Sequence, residues 1–162
     1  MLKNLFNKPK ETKIFAPANG EIVALEDVPD PVFSQKMMGE GIAIVPAEGK
    51  IVSPVDGEII QVPDTKHAIG IRSEDGMEIL IHVGLETVAL KGEGFNTNVQ
   101  TGDQVSVGQA LLDFDLEYVR ENAENMITPI VITNSSNSDK QYTMTTEKEG
   151  SAGETVIITA SS

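Results

Sequence analysis

Short runs of apolar residues, many alternating with polar residues, recur along the chain between turns that contain glycine or proline. The clearest runs are GEIVAL at 20–25, GEIIQV at 57–62, HAIGIR at 67–72, MEILIHV at 77–83 and ETVIIT at 154–159. A period of two residues is typical of β-strands, and Ile and Val fill most apolar positions. Strands this short and this closely spaced predict an all-β fold, an antiparallel sandwich or barrel.

Two of these runs belong to an internal repeat. APANGEIVAL at 16–25 and SPVDGEIIQV at 53–62 share a proline, two further residues and then Gly-Glu-Ile. Proline fixes φ and glycine accepts positive φ, so each copy is typical of a tight turn that leads into a strand. The repeat therefore predicts a duplicated β unit.

Two short helices are expected between the strands. In DPVFSQKMMG, Asp30 is a candidate N-cap, Pro31 suits the first helical position, and Gly39 suits the end after about two turns. DLEYVRENAENM has Asp115 as its candidate cap and one apolar side. Both helices are too short to organise the fold, so we expect them to act as lids or connectors.

The chain's only two histidines, His67 and His82, flank SEDG, whose Ser, Asp and Gly favour a turn. If residues 73–76 form the loop, Arg72 pairs with Met77, and His67 then lies directly opposite His82. Directly opposed residues have Cβ atoms about 4.5–5.5 Å apart, so the two imidazoles would share one small ligand. One face would carry His67, Ile69, Ile71, Glu78, Leu80 and His82, and the other Ala68, Met77, Ile79, Ile81 and Val83.

Because both faces are largely apolar, we expect the histidine face to be either covered or a docking surface. Two core histidines bonded to the backbone are one interpretation. Zinc binding would need a carboxylate as a further ligand, and general acid–base catalysis finds no accompanying GxSxG motif. Phosphoryl transfer is a further interpretation: one neutral imidazole attacks phosphorus and the other donates a hydrogen bond. Thr65 would add a hydroxyl, and Gly84 would free the backbone to orient a ring.

Composition narrows the class of partner. The net charge of −13 argues against a nucleic acid, because phosphate binding needs clustered Lys and Arg. The charge suits basic protein partners or serves solubility alone. Without cysteine, thiol catalysis is excluded, and the chain fits a reducing compartment. We therefore expect a cytoplasmic protein with protein partners.

The first residues, MLKNLFNKPKETK, are basic and carry Leu2, Leu5 and Phe6. They lack the apolar run of a signal peptide or a membrane span. We expect a flexible basic tail over residues 1–13, with peripheral membrane contact at most, and one domain over residues 14–162.

Several separated motifs, in order along the chain, resemble the glucose-type IIA proteins of the bacterial phosphoenolpyruvate-dependent sugar phosphotransferase system. They are VPDPVF, SPVDGEI, TKHA, IHVGLETV and LKGEGF, and the likeness spans about residues 14–160. The resemblance implies a β-sandwich of the duplicated hybrid kind and a phosphocarrier. It implies that the phosphocarrier HPr donates a phosphoryl group to His82, which passes it to a cysteine on the IIB domain of a sugar permease.

The same resemblance gives roles to the neighbouring residues. His67 would stabilise the phosphorylated ring, with Thr65 bonded to His67. The partner-docking residues would be Asp30, Val32, Phe33, Met37, Met38, Ile69, Leu80, Glu86 and Val88. No cofactor is required, and zinc would bind His67 and His82 only with a partner's carboxylate. Glu86 stands where relatives more often carry Asp, and Val83 replaces the commoner Phe, which we expect to trim the docking surface.

Three other classes of protein are alternatives to a phosphocarrier. A purely regulatory binding module would have no acceptor chemistry, so loss of His82 would leave partner binding and activity unchanged. A zinc hydrolase of related β architecture would need three protein ligands in the chain. A biotinyl or lipoyl carrier would need a lysine at a hairpin tip, and SEDG has none.

Overall fold

The computed structural model describes residues 11–161. In these residues the chain forms short strands, two short helices and three 3-10 turns. The strands are β1 (Glu11–Phe15), β2 (Gly20–Ala24), β3 (Glu40–Pro46), β4 (Lys50–Val52), β5 (Gly57–Gln61), β6 (Ala68–Ser73), β7 (Glu78–His82), β8 (Phe95–Thr97), β9 (Gln104–Val105), β10 (Ala110–Phe114), β11 (Thr128–Ile132), β12 (Gln141–Met144), β13 (Glu149–Gly150) and β14 (Val156–Ser161). The helices are α1 (Pro31–Ser34) and α2 (Leu116–Asn122), and the 3-10 turns are Leu25–Asp27, Thr87–Leu90 and Ser135–Asn137.

The strands form three antiparallel sheets. The largest has the order β13-β2-β3-β11-β7-β6-β5-β9, and the smaller two are β1-β14-β12 and β4-β10-β8. Buried side chains from all three sheets, among them Ile14, Ile79 and Leu111, form one core cluster. The predicted all-β antiparallel sandwich with short connecting helices is therefore confirmed.

The repeated Pro-x-x-Gly-Glu-Ile segments form equivalent strands. β2 and β5 are each second from an end of the large sheet, and Gly20 pairs with Pro46 as Gly57 pairs with Ser73. A Cβ atom at either glycine would collide with a backbone oxygen of the neighbouring strand. This close approach of two backbones explains the glycine in both copies.

The two copies extend into matching halves of the large sheet, which meet where Ile130 pairs with Ile81. Outward from this pair, β11 corresponds to β7, β3 to β6 and β2 to β5. The connection between β2 and β3 carries α1 and is much longer than the connection between β5 and β6. The two halves therefore share a framework but differ in what covers them.

The large sheet is apolar on both faces. Ile42, Ile44, Ile79, Ile81 and Ile130 point inward to the main core. On the outer face, Val23, Ala43, Val131 and Leu80 pack against Leu25, Val28 and Phe33 of the β2–β3 connection. This second cluster buries the outer face over β2, β3 and β11.

The histidine hairpin has a three-residue loop. Arg72 pairs with Glu78, and Ser73 donates its N–H to the Met77 carbonyl at 2.8 Å. Gly76 has φ +92°, the left-handed conformation that closes three-residue hairpins. The four-residue loop expected over 73–76 is therefore wrong by one position, because Ser73 continues the strand.

This shift changes which residues face outward. Ile69 pairs with Ile81 and Ile71 with Ile79, and all four point into the core. Ile69 is 1% exposed, so its expected place on the docking surface is wrong. A slip of one residue moves every side chain of one strand to the other face.

The two helices begin where the sequence predicts. Asp30 accepts a hydrogen bond from Val32 N at 3.0 Å, and Asp115 accepts one from Tyr118 N at 3.0 Å. The first helix ends earlier than expected, at Ser34 rather than near Gly39. Lys36 then takes a left-handed φ of +59°, which a continuing helix does not allow.

The boundary expected after residue 13 is also corrected. β1 begins at Glu11 and pairs with β14, so residues 11–13 belong to a sheet. The remainder of the expected tail, residues 1–10, lies outside the described residues. Among residues 11–161, no helix is both long and apolar enough to cross a membrane.

Candidate functional site

His82 ends β7 on the outer face of the large sheet, half-buried beside α1. Its Nδ1 lies 2.8 Å from the carbonyl oxygen of Gly84. A carbonyl accepts hydrogen bonds and cannot donate them, so Nδ1 carries the proton of the neutral ring. The lone pair then resides on Nε2.

His67 reaches the same face by a break in strand geometry. It directly precedes β6, and regular alternation would place its side chain inward with Ile69. The His67 carbonyl still accepts Val83 N at 2.7 Å, and Lys66, directly before it, has a left-handed φ of +57°. The two imidazole centroids lie 4.9 Å apart at an interplanar angle of 78°. The rings meet as expected, although by a different route from the predicted direct pairing.

Thr65 holds the second ring. Its Oγ1 lies 2.7 Å from His67 Nδ1. When this hydroxyl donates to Nδ1, the neutral His67 ring carries its proton on Nε2. His67 can then offer an N–H to an anion on the neighbouring ring.

Burial makes both rings neutral at physiological pH. Burial, with a smaller effect from the charge of His82, lowers the pKa of His67 to about 4. Burial also lowers the pKa of His82, although the Gly84 carbonyl and the charges of Asp30 and Glu86 oppose this shift. A neutral imidazole keeps the lone pair that a nucleophile needs.

Phe33 packs against His82, and other apolar residues lie near these two in the sequence or in the outer cluster. The ring of Phe33 lies 5.3 Å from that of His82 and is buried, whereas Val32, Met37 and Val88 are 40%, 69% and 51% exposed. Met38 and Leu80 are half-buried parts of the outer cluster. We call Val32, Phe33, Met37, Met38, Leu80 and Val88 the docking rim.

Val83 is not part of this rim. It is 1% exposed and packs in the main core. The expectation that Val83 trims the docking surface is therefore wrong, because its position next to His82 in a strand turns it to the inner face.

Comparisons with known proteins identify the family. The model of a family described as phosphoenolpyruvate-dependent sugar phosphotransferase system, EIIA 1, matches residues 12–138. The chain belongs to this family. It is 54% identical over 160 residues to a Halalkalibacterium halodurans protein named PTS system glucose-specific EIIA component, covering 97% of this chain and 90% of that protein. A Staphylococcus epidermidis protein of the same name is 52% identical over 143 residues, which cover 86% of each.

A solved structure supports the same assignment. Glucose permease IIA from Mycoplasma capricolum has a TM-score of 0.84 and 34% identity, covering 93% of this chain and 96% of that one. The present EIIA protein is accordingly a phosphotransferase component and acts as a phosphocarrier of the sugar phosphotransferase system.

The hydrolase alternative has no support in these comparisons. Within residues 11–161, no three histidine or carboxylate side chains gather closely enough to hold a metal ion. The histidine pair alone falls short of the three protein ligands that catalytic zinc sites use.

Sequence reasoning missed two threonines of this EIIA site. Thr87 and Thr128 are 0% exposed and bond to the turn that follows His82. Thr87 lies inside the IHVGLETV motif, and Thr128 lies in an otherwise apolar strand. A hydroxyl within the motif that contains His82, and a hydroxyl in an otherwise apolar strand, were the sequence signals that could have identified these two residues.

Proposed function

We propose that His82 Nε2 accepts a phosphoryl group from the phosphohistidine of HPr and passes it to a cysteine of a permease IIB domain. One observation carries this proposal. The Nδ1 atom of His82 is committed to the Gly84 carbonyl, so the Nε2 lone pair remains available beside a second imidazole. The glucose-specific names of the relatives favour a permease of the glucose type.

Each transfer conserves atoms and electrons. The Nε2 lone pair forms the new N–P bond as the donor's N–P bond breaks, and that electron pair returns to the donor imidazole. The proton stays on Nδ1, hydrogen-bonded to the Gly84 carbonyl, throughout. In the second step, the acceptor thiolate attacks phosphorus and the His82 N–P bond breaks, which restores the neutral ring.

His67 and Thr65 would act on the phosphorylated state. With Thr65 donating to His67 Nδ1, the Nε2–H of His67 can donate to a phosphoryl oxygen on His82. Preorganised donors of this kind stabilise charge without the reorganisation that water needs. The chemistry requires no cofactor, and zinc would need a carboxylate from a partner to complete its ligands.

The docking rim and the charge suit protein partners that arrive in turn. An apolar rim around His82 excludes water during transfer. Asp30 and Glu86 lie close enough to act on the charge of His82, and with the net charge of −13 they would steer basic partners toward the site. We propose that both exchanges take place in the cytoplasm, which suits a chain without cysteine.

Phosphoryl transfer with purified components tests the proposal. The protein is incubated with labelled phosphoenolpyruvate, enzyme I and HPr, and acid-labile label on the chain is measured. Wild type should take up label, His82→Gln should take up none, and the matched variant His67→Gln should still take it up. Label that persists at the wild-type level in His82→Gln would refute His82 as the acceptor.

A further inference from the structure

We propose that Thr87 and Thr128 are positioning residues that determine which nitrogen of His82 receives the phosphoryl group. This inference rests on the proposed function, since it assumes that His82 is the acceptor. Both side chains are 0% exposed and hydrogen-bond to the backbone of the turn after His82 rather than to its ring, so their effect passes through that backbone.

The two hydroxyls hold opposite ends of one peptide unit. Thr87 Oγ1 donates to the Val83 carbonyl at 2.7 Å. The N–H of the same peptide unit, that of Gly84, donates to Thr128 Oγ1 at 3.3 Å, and Thr128 Oγ1 donates in turn to the Met126 carbonyl at 3.0 Å. A peptide unit is planar, so bonds at both ends fix its orientation.

The next peptide unit carries the carbonyl that His82 uses. Its N–H, that of Leu85, donates to the Asn125 carbonyl at 2.8 Å, and its Gly84 oxygen accepts from His82 Nδ1. Gly84 joins the two units with φ +73°, and a Cβ atom there would lie 2.8 Å from Thr87 Cγ2. The direction of the Gly84 carbonyl is thus set from both sides by buried groups.

This carbonyl selects a tautomer. It bonds only to a ring that carries hydrogen on Nδ1, which leaves the Nε2 lone pair for phosphorus. If the turn loosens, the tautomer with hydrogen on Nε2 becomes populated. That form cannot attack through Nε2 and exposes a nucleophilic Nδ1 instead.

The chain is well suited to a direct test, because its two histidines give two ring spin systems in ¹⁵N-histidine NMR. In the unphosphorylated wild type, the His82 nitrogens should report hydrogen on Nδ1. A wild-type spectrum with hydrogen on Nε2 would overturn the proposal, whether or not His82 proves to be the acceptor in the labelling experiment.

Variants of the two threonines supply the second arm. Thr128→Val and Thr87→Val keep the shape of the side chain and remove the hydroxyl. Each should move the His82 nitrogen shifts toward a tautomer mixture, slow phosphorylation about three- to tenfold, as the loss of one orienting hydrogen bond would, and yield some Nδ1-phosphohistidine. Thr128→Ser should restore wild-type behaviour.

Ile81→Val is the matched control, because it loosens the core without touching the turn. The proposal is overturned if folded Thr128→Val keeps wild-type shifts, rate and a single phosphohistidine isomer, or if Ile81→Val produces the same mixture. Should Thr128→Val fail to fold, Thr87→Val carries the same expectations and the same refutation.

Discussion

His67 and His82 lie with ring centroids 4.9 Å apart, yet their Nδ1 atoms bond to groups of different kinds. His82 faces the Gly84 carbonyl, which accepts hydrogen bonds only, whereas His67 faces the Thr65 hydroxyl, which both donates and accepts. The carbonyl keeps His82 in one protonation pattern. The hydroxyl rotates to suit either protonation state of His67. Under the proposed function, His82 is a nucleophile with a fixed protonation pattern, and His67 is a neighbour that can adjust when His82 gains or loses a phosphoryl group.

The largest effect is expected from removing the imidazole of His67. In His67→Gln, delivery of the phosphoryl group to the IIB domain should fall about 100- to 1000-fold, the usual effect of losing one preorganised donor. Uptake from HPr should change far less, because His82 keeps its own carbonyl. Rapid-quench transfer from the labelled chain to the IIB domain measures both steps, and normal delivery by this variant would remove the role given to His67.

Phosphorylation of His82 should change the protonation behaviour of His67. Burial holds the pKa of His67 near 4, and a phosphoryl dianion on His82 should raise this pKa by at least about one unit. Titration of the ring protons by NMR, before and after phosphorylation, gives both values. An unchanged pKa for His67 in the phosphorylated protein would mean that the two rings do not interact through the phosphoryl group.

The lowered pKa of His67 also makes the stability of the unphosphorylated protein depend on pH. Its pKa in the folded chain, about 4, lies below the ordinary value of 6.5, so the unfolded chain binds a proton that the folded chain does not. The free energy of unfolding should therefore fall as the pH decreases from 6.5 toward 4. Urea unfolding across this range checks it, and His67→Gln should show a smaller decrease.

A smaller effect on delivery is expected from removing the Thr65 hydroxyl alone. Thr65→Val leaves His67 without a partner on Nδ1, and delivery should fall about three- to tenfold. Thr65→Ser should restore it, and neither change should alter uptake on His82. If Thr65→Val reduced uptake and delivery equally, the hydroxyl would be supporting the whole site rather than His67.

The smallest effect concerns the left-handed residue directly before His67. Lys66 adopts φ +57°, which costs roughly 1–2 kcal/mol for an ordinary residue and less for asparagine. Lys66→Asn should raise the free energy of unfolding by up to about 1 kcal/mol, and Lys66→Val should lower it. Thermal unfolding measures the change, and an interproton contact between the imidazoles should persist in Lys66→Asn and weaken in Lys66→Val.

Local sequence patterns were sufficient for the elements but not for the register between them. Alternation and the glycine repeat predict the strands, and Asp30 and Asp115 predict the helix starts. The loop length depended on whether Ser73 turns or continues the strand, and its buried hydroxyl accepts Met77 N at 3.0 Å, a contact that no local pattern reveals. That single position decided whether Ile69 faced partners or the core.

The meeting of the two histidines was predicted, but its structural cause was not. Strand alternation in the true register would turn His67 to the inner face, yet the two rings are in contact, and the left-handed Lys66 lies directly before His67. Lysine gives no sequence signal for that conformation, unlike glycine or asparagine. Thr128 was missed for a related reason, since β11 comes from a distant part of the chain.

The matching halves of the large sheet have a consequence for the order in which partner proteins bind. Counted along the two ladders, Glu40 and Val131 occupy the places that His67 and His82 hold in the other half, and Val131 is sealed beneath the β2–β3 connection. The outer face is therefore covered in the half that carries Val131 and is open at the two histidines in the other half. If the donor and the acceptor both bind at His82, as proposed, they must bind in turn, and turnover can be no faster than dissociation of the donor.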